Sequence, residues 1–363
     1  MRILSLVTDG FGGQGGIALH CRHLLGALCA IASVRTVHAL PRIKPEYVEA
    51  MPEKLEYLDC SANSPLAYFK ALIKESIVAG RWNLVVCEHM NLLPVAAIVA
   101  TLHRAKLLLV IHGFESWNRP SFSSQLALRQ VDQVLSVSEV TKKRFLNWSG
   151  LKPSVVTVIP NAIDTDLFSP GPRPDYLQRR YGLKNQPVIM TLGRLSDQER
   201  SKGFDLVISA MTDLLVKTPD LRYLIIGGGD DQNRLKKLTQ ENGVSSRVIF
   251  TGEISDSEKV DHYRLADAYI MPSRLEGFGY VYLEAMACGL PVVGSKLDGG
   301  RDALLNGMLG ELVDPDDRNE LCGAIMRALE KPKSVPKQLS QFSLPNFNQA
   351  VESLVDKVIR SGD

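Results

Sequence analysis

The sequence has few cysteines, and none of them is spaced as a metal ligand would be. Six cysteines occur in 363 residues, without a CxxC pair, so a zinc cluster is not predicted. Most lie inside apolar runs and are expected to be buried small hydrophobes of a protein from a reducing compartment. They are Cys21, Cys29, Cys60, Cys87, Cys288 and Cys322.

Long hydrophobic runs are also missing. The longest apolar stretches, such as residues 92–102, are too short to span a bilayer. The apolar run at residues 3–7 is too short for a signal peptide and is typical of a buried strand. No internal repeat of solenoid period appears. We therefore expect a cytoplasmic protein, either free or at the inner face of the cytoplasmic membrane.

The chain carries almost no excess charge, since its formal net charge is only +2. No nucleic-acid partner is therefore indicated. Residues 1–164 hold 17 Lys and Arg against 12 Asp and Glu, whereas the remainder holds 25 against 28. A mildly basic first half is compatible with an acidic lipid surface or an anionic acceptor. Scattered solvated charges, including the basic run at residues 142–144, are the simpler interpretation.

Short apolar strands alternate with helices along the whole chain, which is typical of an α/β fold with parallel sheets. With 45% hydrophobic residues, the chain is long enough for two domains with cores of their own. A stretch rich in proline and glycine at residues 170–174 has the composition of a linker. The predicted domains are 1–164, joined by a last helix at about 346–363, and 165–345.

A glycine-rich loop follows the first strand. Residues 10–15 satisfy the GxGxxG pattern, which suggests a dinucleotide site. Such a site requires an acidic residue at the end of the second strand, but that strand ends with Ala39, Leu40 and Pro41. An NAD-dependent oxidoreductase is thus disfavoured, while the strand, loop and helix still suit a phosphate. His112 is a second candidate for a ligand contact. It directly follows the apolar strand 106–111 and should face the same sheet edge as the glycine loop.

The most informative stretch lies between Glu276 and Glu284. A short apolar strand at 268–273 precedes it, and a helix at 280–288 follows, closed by Gly289. A loop in this position lies at the carboxyl edge of a parallel sheet, where ligands bind. The helix N-terminus suits a phosphate, and ionised carboxylates accept hydrogen bonds from sugar hydroxyls.

This pattern, Glu276-x7-Glu284 followed by residues 285–293 (AMACGLPVV), resembles the signature of retaining, nucleotide-sugar-dependent glycosyltransferases of the family-4 type. The resemblance implies the GT-B fold, which has two facing Rossmann-like domains, an interdomain cleft and a C-terminal helix that crosses back to the first domain. It implies transfer of a hexose from a UDP- or GDP-sugar to a hydroxyl of a glycan or lipid-linked acceptor. Cell-surface polysaccharide or glycolipid synthesis is the expected setting.

The resemblance also implies roles for individual residues. Arg194 and Lys202 match the family's pair of cations for the donor diphosphate, and such cations stabilise the charge of the departing group. Glu276 would hold hydroxyls of the transferred sugar and Glu284 the ribose, while His112 would reach another sugar hydroxyl. The expected catalytic residues are Glu276, His112, Arg194 and Lys202. The expected donor-binding residues are Gly15, Gly16, Arg194, Lys202, Ile254, Glu276, Phe278, Gly279, Tyr280 and Glu284.

Two short DxD patterns, at residues 164–166 and 314–316, are those a metal-dependent transferase would use. Both lie in segments of linker or turn composition, so no obligatory metal or other cofactor is expected. Asp302 departs from the family's commoner glutamate after the pair Gly299 and Gly300. A non-catalytic nucleotide- or carbohydrate-binding protein of the same fold remains the main alternative, with the oxidoreductase behind it.

Overall fold

A computed structural model describes residues 1–43, 50–58, 64–78, 80–197 and 200–360. The chain divides into two compact units, residues 1–162 with 344–363 and residues 163–343. The sequence places the same divisions at 164 and about 345, within a few residues of those in the structure.

The first unit is an α/β unit. Its strands are β1 (Arg2–Val7), β2 (Thr36–Pro41), β3 (Leu55–Tyr57), β4 (Leu84–Cys87), β5 (Lys106–Ile111), β6 (Gln133–Ser136) and β7 (Val156–Val158). Its helices are α1 (Gly16–Ala30), α2 (Pro65–Val78), α3 (Leu93–His103), α4 (Phe122–Ala127) and α5 (Glu139–Ser149), together with the C-terminal helix α13 (Leu344–Arg360).

The strands of this unit form a parallel sheet in the order β3-β2-β1-β4-β5-β6-β7. The direction of winding reverses between β1 and β4, so the loops that follow these two strands diverge at the carboxyl edge. Such a switch point is where doubly wound sheets bind ligands. The loop with Gly15 and the segment that begins at Glu88 both start there.

Helix α13 belongs to the first unit, as the GT-B expectation requires. Its apolar side chains recur at helical spacing, and this stripe packs into the core that α1 covers. The stripe consists of Phe347, Val351, Leu354, Val355 and Val358. A second core fills the opposite face of the sheet, beneath α3 and α5.

The second unit repeats the same architecture. Its strands are β8 (Val188–Leu192), β9 (Arg222–Ile226), β10 (Val248–Gly252), β11 (Ala268–Ile270), β12 (Val292–Ser295) and β13 (Glu311–Val313). Its helices are α6 (Asp175–Arg180), α7 (Phe204–Lys217), α8 (Gln232–Glu241), α9 (Asp256–Leu265), α10 (Tyr280–Ala287), α11 (Gly300–Ala303) and α12 (Arg318–Glu330).

Its parallel sheet runs β10-β9-β8-β11-β12-β13. The switch point here lies between β8 and β11, and the two loops that leave it carry Arg194 and Glu276. The topology thus brings a cation and a carboxylate, more than 80 positions apart in the sequence, to one sheet edge. The predicted fold class of two Rossmann-like parallel-sheet domains is confirmed.

The expected burial of the cysteines holds with one correction. Cys21, Cys29, Cys87 and Cys288 are buried, whereas Cys322 is only partly covered because it lies on the face of α12 beside Asp213. Cys60 lies outside the described residues. Among the helices of the described ranges, none has the length and apolar character needed to cross a bilayer.

Candidate active site

Arg194 lies in a turn that is locked against the glycine run after β9. The backbone N–H of Gly193 donates to Ile226 O at 3.0 Å, and that of Leu195 donates to Gly228 O at 2.8 Å. A Cβ on Gly227 would approach Gly193 O to 2.1 Å, so this contact requires glycine. The turn holds the Arg194 backbone in place, while its side chain is exposed at the carboxyl edge of the sheet.

Lys202 precedes α7 in a short 3-10 turn, Arg200–Lys202. The next residue, Gly203, has a φ of +79°, and a Cβ there would lie 2.6 Å from Pro272 O. The backbone N–H of Arg274 donates to Ser201 O at 2.8 Å. The turn carrying Lys202 is therefore docked on the loop that follows β11, with the lysine side chain next to Gly193.

Lys202 and Glu276 are in direct contact. The distance from Lys202 Nζ to Glu276 Oε2 is 2.5 Å, and both side chains are partly exposed. A carboxylate next to a cation is oriented by it and remains available as a hydrogen-bond acceptor on its other side. The structure thus brings together two of the four predicted catalytic residues. A third, Arg194, directly follows Gly193, which lies next to the Lys202 side chain.

Between Glu276 and α10 the backbone, and not the side chains, is available to a ligand. Phe278 and Tyr280 are buried, and the Phe278 ring packs edge to face on Phe342. Gly279 is the N-cap of α10 with a φ of +92°, and a Cβ there would meet the Tyr282 ring at 2.6 Å. The N–H groups of the first turn of α10 are thereby presented at the sheet edge, where they favour an anion.

Glu284 lies one turn further along α10 and is only 1% exposed. Its Oε1 accepts from Lys259 Nζ at 2.5 Å and its Oε2 from the Tyr263 hydroxyl at 2.7 Å. Both partners come from α9, for which the sequence shows no motif, so sequence reasoning missed them. The Glu284 carboxylate is held rigidly, with one hydrogen bond to each oxygen.

Ile254 follows β10 and is half-buried, at the same edge of the second sheet. Gly15, Gly16 and His112 belong to the first unit, and the other predicted site residues belong to the second. Gly15 has a φ of +92° and is the N-cap of α1, with open space around the position of a Cβ. Gly15 is therefore required by its backbone conformation and not by a close neighbour.

His112 follows β5 and is almost fully buried. Its Nε2 lies 3.0 Å from the backbone carbonyl oxygen of Glu88, and Glu115 accepts a hydrogen bond from its backbone N–H at 2.6 Å. Burial lowers the pKa of His112, so the ring is neutral at pH 7. Because Nε2 must carry the proton to bond a carbonyl oxygen, Nδ1 is the acceptor of this tautomer. A sugar hydroxyl could donate to it.

Beneath His112 lies a buried cluster with His20 and Glu88, whose ligand atoms come within 4.8 Å of one another. Within the described residues, the two ring nitrogens of His20 have no hydrogen-bond partner, and Glu88 Oε2 has none either. Ligand atoms around a tetrahedral zinc lie only about 3.3–3.4 Å apart. A set that spreads to 4.8 Å does not fit such an ion, and we assign no metal to it.

The two DxD patterns form local turns. Asp164 Oδ1 accepts from the backbone N–H of Asp166 at 2.9 Å, and Asp314 Oδ1 accepts from that of Asp316 at 2.9 Å. A side-chain oxygen that bonds the backbone two residues ahead is the Asx turn. Turn formation thus accounts for both patterns.

Two family models of glycosyltransferases match this chain. The model of "Glycosyltransferase Family 4" matches residues 14–167, and that of "Glycosyl transferases group 1" matches residues 176–343. The structure of Anabaena Alr3699/HepE in complex with UDP superposes with a TM-score of 0.78 at 22% identity, covering 98% of this chain and all of that one. The lipopolysaccharide outer core galactosyltransferase WaaB gives a TM-score of 0.73 at 19% identity, covering all of both chains.

Two relatives with assigned activities are more similar to this chain in sequence than these two structures are. The GDP-mannose-dependent alpha-(1-6)-phosphatidylinositol monomannoside mannosyltransferase of Mycolicibacterium smegmatis is 32% identical over 356 residues, 90% of this chain and 89% of that protein. A D-inositol 3-phosphate glycosyltransferase of Acidothermus cellulolyticus is 32% identical over 209 residues, 55% of this chain and 46% of that protein. The chain belongs to the nucleotide-sugar-dependent glycosyltransferases of the family-4 type, which confirms the resemblance of its Glu276-x7-Glu284 motif.

Proposed function

We propose that this enzyme transfers mannose from GDP-mannose to a hydroxyl of a lipid-linked glycan, with retention at the anomeric carbon. The observation that carries the proposal is the Lys202–Glu276 pair beside Arg194 at the switch point of the second sheet. Relatives named as GDP-mannose-dependent mannosyltransferases of phosphatidylinositol mannosides support the choice of donor and acceptor.

In the proposed reaction the donor diphosphate lies on Arg194, Lys202 and the N–H groups at the start of α10. Negative charge accumulates on this group as the glycosidic bond breaks, and cations already in place stabilise it without reorganisation. The side chains of Phe278 and Tyr280 are buried, so in this stretch the backbone contacts sugar and phosphate. Gly15 and Gly16 are the proposed phosphate-binding residues of the first unit.

Glu276 accepts hydrogen bonds from hydroxyls of the transferred sugar, and His112 Nδ1 accepts one more. Glu284 binds the ribose, and Ile254 packs on the base. No side chain is assigned as a covalent nucleophile. The acceptor hydroxyl attacks on the face from which the nucleoside diphosphate departs, and a phosphate oxygen of the leaving group takes its proton. The residues contribute position and electrostatics.

No metal is obligatory in this proposal, because two cations and a helix N-terminus compensate the charge of the diphosphate. The enzyme acts in the cytoplasm at the inner face of the membrane, through the first unit. Two exposed apolar pairs support this contact. They are Ile98 and Leu102 on α3 and Phe122 and Leu126 on α4, and both pairs have the i, i+4 spacing of a single helix face.

Transfer of labelled hexose to phosphatidylinositol monomannoside in vesicles tests the proposal. GDP-mannose, UDP-glucose and UDP-galactose are compared with and without EDTA, and the anomeric configuration of the product is read by NMR. We expect an α-mannoside from GDP-mannose, at an equal rate with the chelator. Transfer from a UDP-sugar alone would show that GDP-mannose is not the donor. Loss of turnover in EDTA would show that the reaction requires a metal ion.

The main alternative, a non-catalytic binding protein of this fold, predicts no product in the transfer experiment and a change in stability when ligand is added. Such a protein would be stabilised by a nucleoside diphosphate, by roughly 2.7 kcal/mol at 100-fold excess over its dissociation constant, without product formation. Stabilisation by NAD alone would instead favour the oxidoreductase.

A further inference from the structure

Both backbone polar groups of Glu276 bond to the turn that follows β12. The Glu276 N–H donates to Asp298 Oδ2 at 2.9 Å, and the Glu276 carbonyl oxygen accepts from the Gly299 N–H at 2.8 Å. A residue fixed at both its N–H and its carbonyl oxygen has little freedom in φ and ψ. The direction of its Cα–Cβ bond is fixed as well, which limits the places its carboxylate can reach, and the contact with Lys202 selects one of them.

The contact between the two loops leaves no room for variation at residue 299. A Cβ on Gly299 would lie 1.9 Å from Gly277 O and 3.0 Å from Glu276 O. Its φ of −65° is ordinary for any residue, so glycine is required here by the close approach of backbone and not by strain. The turn after β12 and the loop after β11 thus pack as one rigid body of backbone.

Asp298 is a costly residue to place in this contact. It is fully buried, and its second oxygen, Oδ1, accepts from the Gly300 N–H at 3.0 Å. Burial, together with the nearby Glu276 charge, raises the pKa of the Asp298 carboxyl to about 6. A buried acid whose charged form is disfavoured does not add stability at neutral pH. Its two correctly placed acceptors offer a reason for its presence.

We infer that Asp298 is a positioning residue, which holds the Glu276 backbone so that the Glu276 carboxylate faces both Lys202 and the transferred sugar. The inference rests on the proposed function, because it concerns the same site. It assigns a role to a residue outside the Glu276-x7-Glu284 motif. Asp298 does not touch the donor and acts through Glu276.

The variant Asp298→Asn tests this role. An amide offers one acceptor oxygen, so either Glu276 or Gly300 would point its N–H at an NH₂ group. We expect kcat with GDP-mannose to fall about 10- to 100-fold, as a misplaced reacting group does, while the dissociation constant for GDP stays within about threefold. The matched control is Asp213→Asn, an exposed aspartate of α7, which should retain the wild-type kcat.

A double-mutant cycle separates positioning from general stability. If Asp298 acts through Glu276, then Asp298→Asn in a Glu276→Gln background should lower kcat by less than about twofold further. Equal losses in both backgrounds would overturn the inference. So would a wild-type kcat in Asp298→Asn, or a loss of GDP binding in step with the loss of kcat.

Should the Asp298→Asn variant fail to fold, the wild-type enzyme still provides a test. A crystal structure with bound, unreacted donor should show the Glu276 carboxylate on a sugar hydroxyl and both backbone bonds to residues 298 and 299 intact. A Glu276 that has left these bonds when the donor is present would overturn the inference. Transfer by the wild type is measured first, so absence of any transfer counts against the proposed function instead.

Discussion

Lys202 Nζ lies 2.5 Å from Glu276 Oε2, although the two residues are 74 positions apart in the sequence. One follows β8 by way of a polar turn and the other follows β11, and these strands are neighbours at the switch point of the second sheet. The proposed diphosphate-binding cation is thus already paired with the proposed sugar-binding carboxylate. Each keeps the other oriented before the donor binds.

The first prediction concerns the two cations. We expect Lys202→Ala and Arg194→Ala each to lower kcat/KM for the donor by about 10²–10³-fold, since each removes a group that stabilises charge developing on the diphosphate. Steady-state kinetics with GDP-mannose measure the effect. Lys217→Ala, at the exposed end of α7, is the control and should be unchanged. An Arg194→Ala enzyme with unaltered turnover would remove Arg194 from the site.

The second prediction concerns Glu276. We expect Glu276→Gln to lower kcat by at least about tenfold, because the carboxylate accepts stronger hydrogen bonds from sugar hydroxyls than an amide does. Binding of GDP alone should stay equal or become tighter, since Lys202 loses a competing anion. Isothermal calorimetry with GDP provides this measurement. Weaker GDP binding in the variant would show that Glu276 supports the diphosphate and not the sugar.

Most of the architecture follows from local patterns in the sequence. Continuous apolar runs such as residues 107–111 are buried parallel strands, and the glycines at 15 and 279 precede helices where a positive φ is needed. Helices α8 and α9 are not evident from local patterns, because their sequences are polar and α9 has no clear apolar stripe. Packing and the sheet order decide their existence more than local propensity does.

The candidate site was predictable only in part, for a physical reason. The sequence predicts the residues of the motif and the two cations, since each directly follows a strand or precedes a helix. It does not predict Lys259 and Tyr263 against Glu284, or Asp298 against Glu276. Those contacts depend on how separate loops pack on one another, which no local spacing encodes.

The third prediction concerns the apolar pairs on α3 and α4. Leu102 is 74% exposed and Phe122 is 81% exposed, and residues 1–164 carry more basic than acidic side chains. We expect the double variant Leu102→Ser/Phe122→Ser to bind vesicles containing anionic lipid at least about tenfold more weakly, because each side chain loses apolar burial in the bilayer. Co-sedimentation at several vesicle concentrations measures the affinity.

A control for this prediction comes from the second unit. Val216 on α7 is 82% exposed, and Val216→Ser removes an exposed apolar side chain from the other unit. Its vesicle binding should match that of the wild type. If neither the wild type nor the control binds vesicles, the first unit makes no membrane contact through these helices.

The last prediction concerns stability and the buried carboxyl of Glu88. Burial raises the pKa of Glu88 from 4.5 to about 7, while Ser5 and Cys21 donate hydrogen bonds that oppose the shift. The folded state therefore holds the Glu88 proton more tightly than the unfolded state does. The stability that this proton confers is fully present below pH 4.5 and is lost as the pH rises through about 7.

We therefore expect Glu88→Gln, which keeps the shape and removes the titration, to be more stable than the wild type at pH 8 and to lose that advantage at pH 5. The difference should change by roughly 2–3 kcal/mol between pH 5 and 8, because most of the range between 4.5 and about 7 lies within this interval. Thermal unfolding of both proteins between pH 5 and 8 measures it. Ligand atoms of His20 and His112 lie within 4.8 Å of this carboxyl, and burial lowers the pKa of both rings, so both are neutral above pH 7 in the wild type. A constant difference in stability across this range would mean that Glu88 is already ionised in the folded protein.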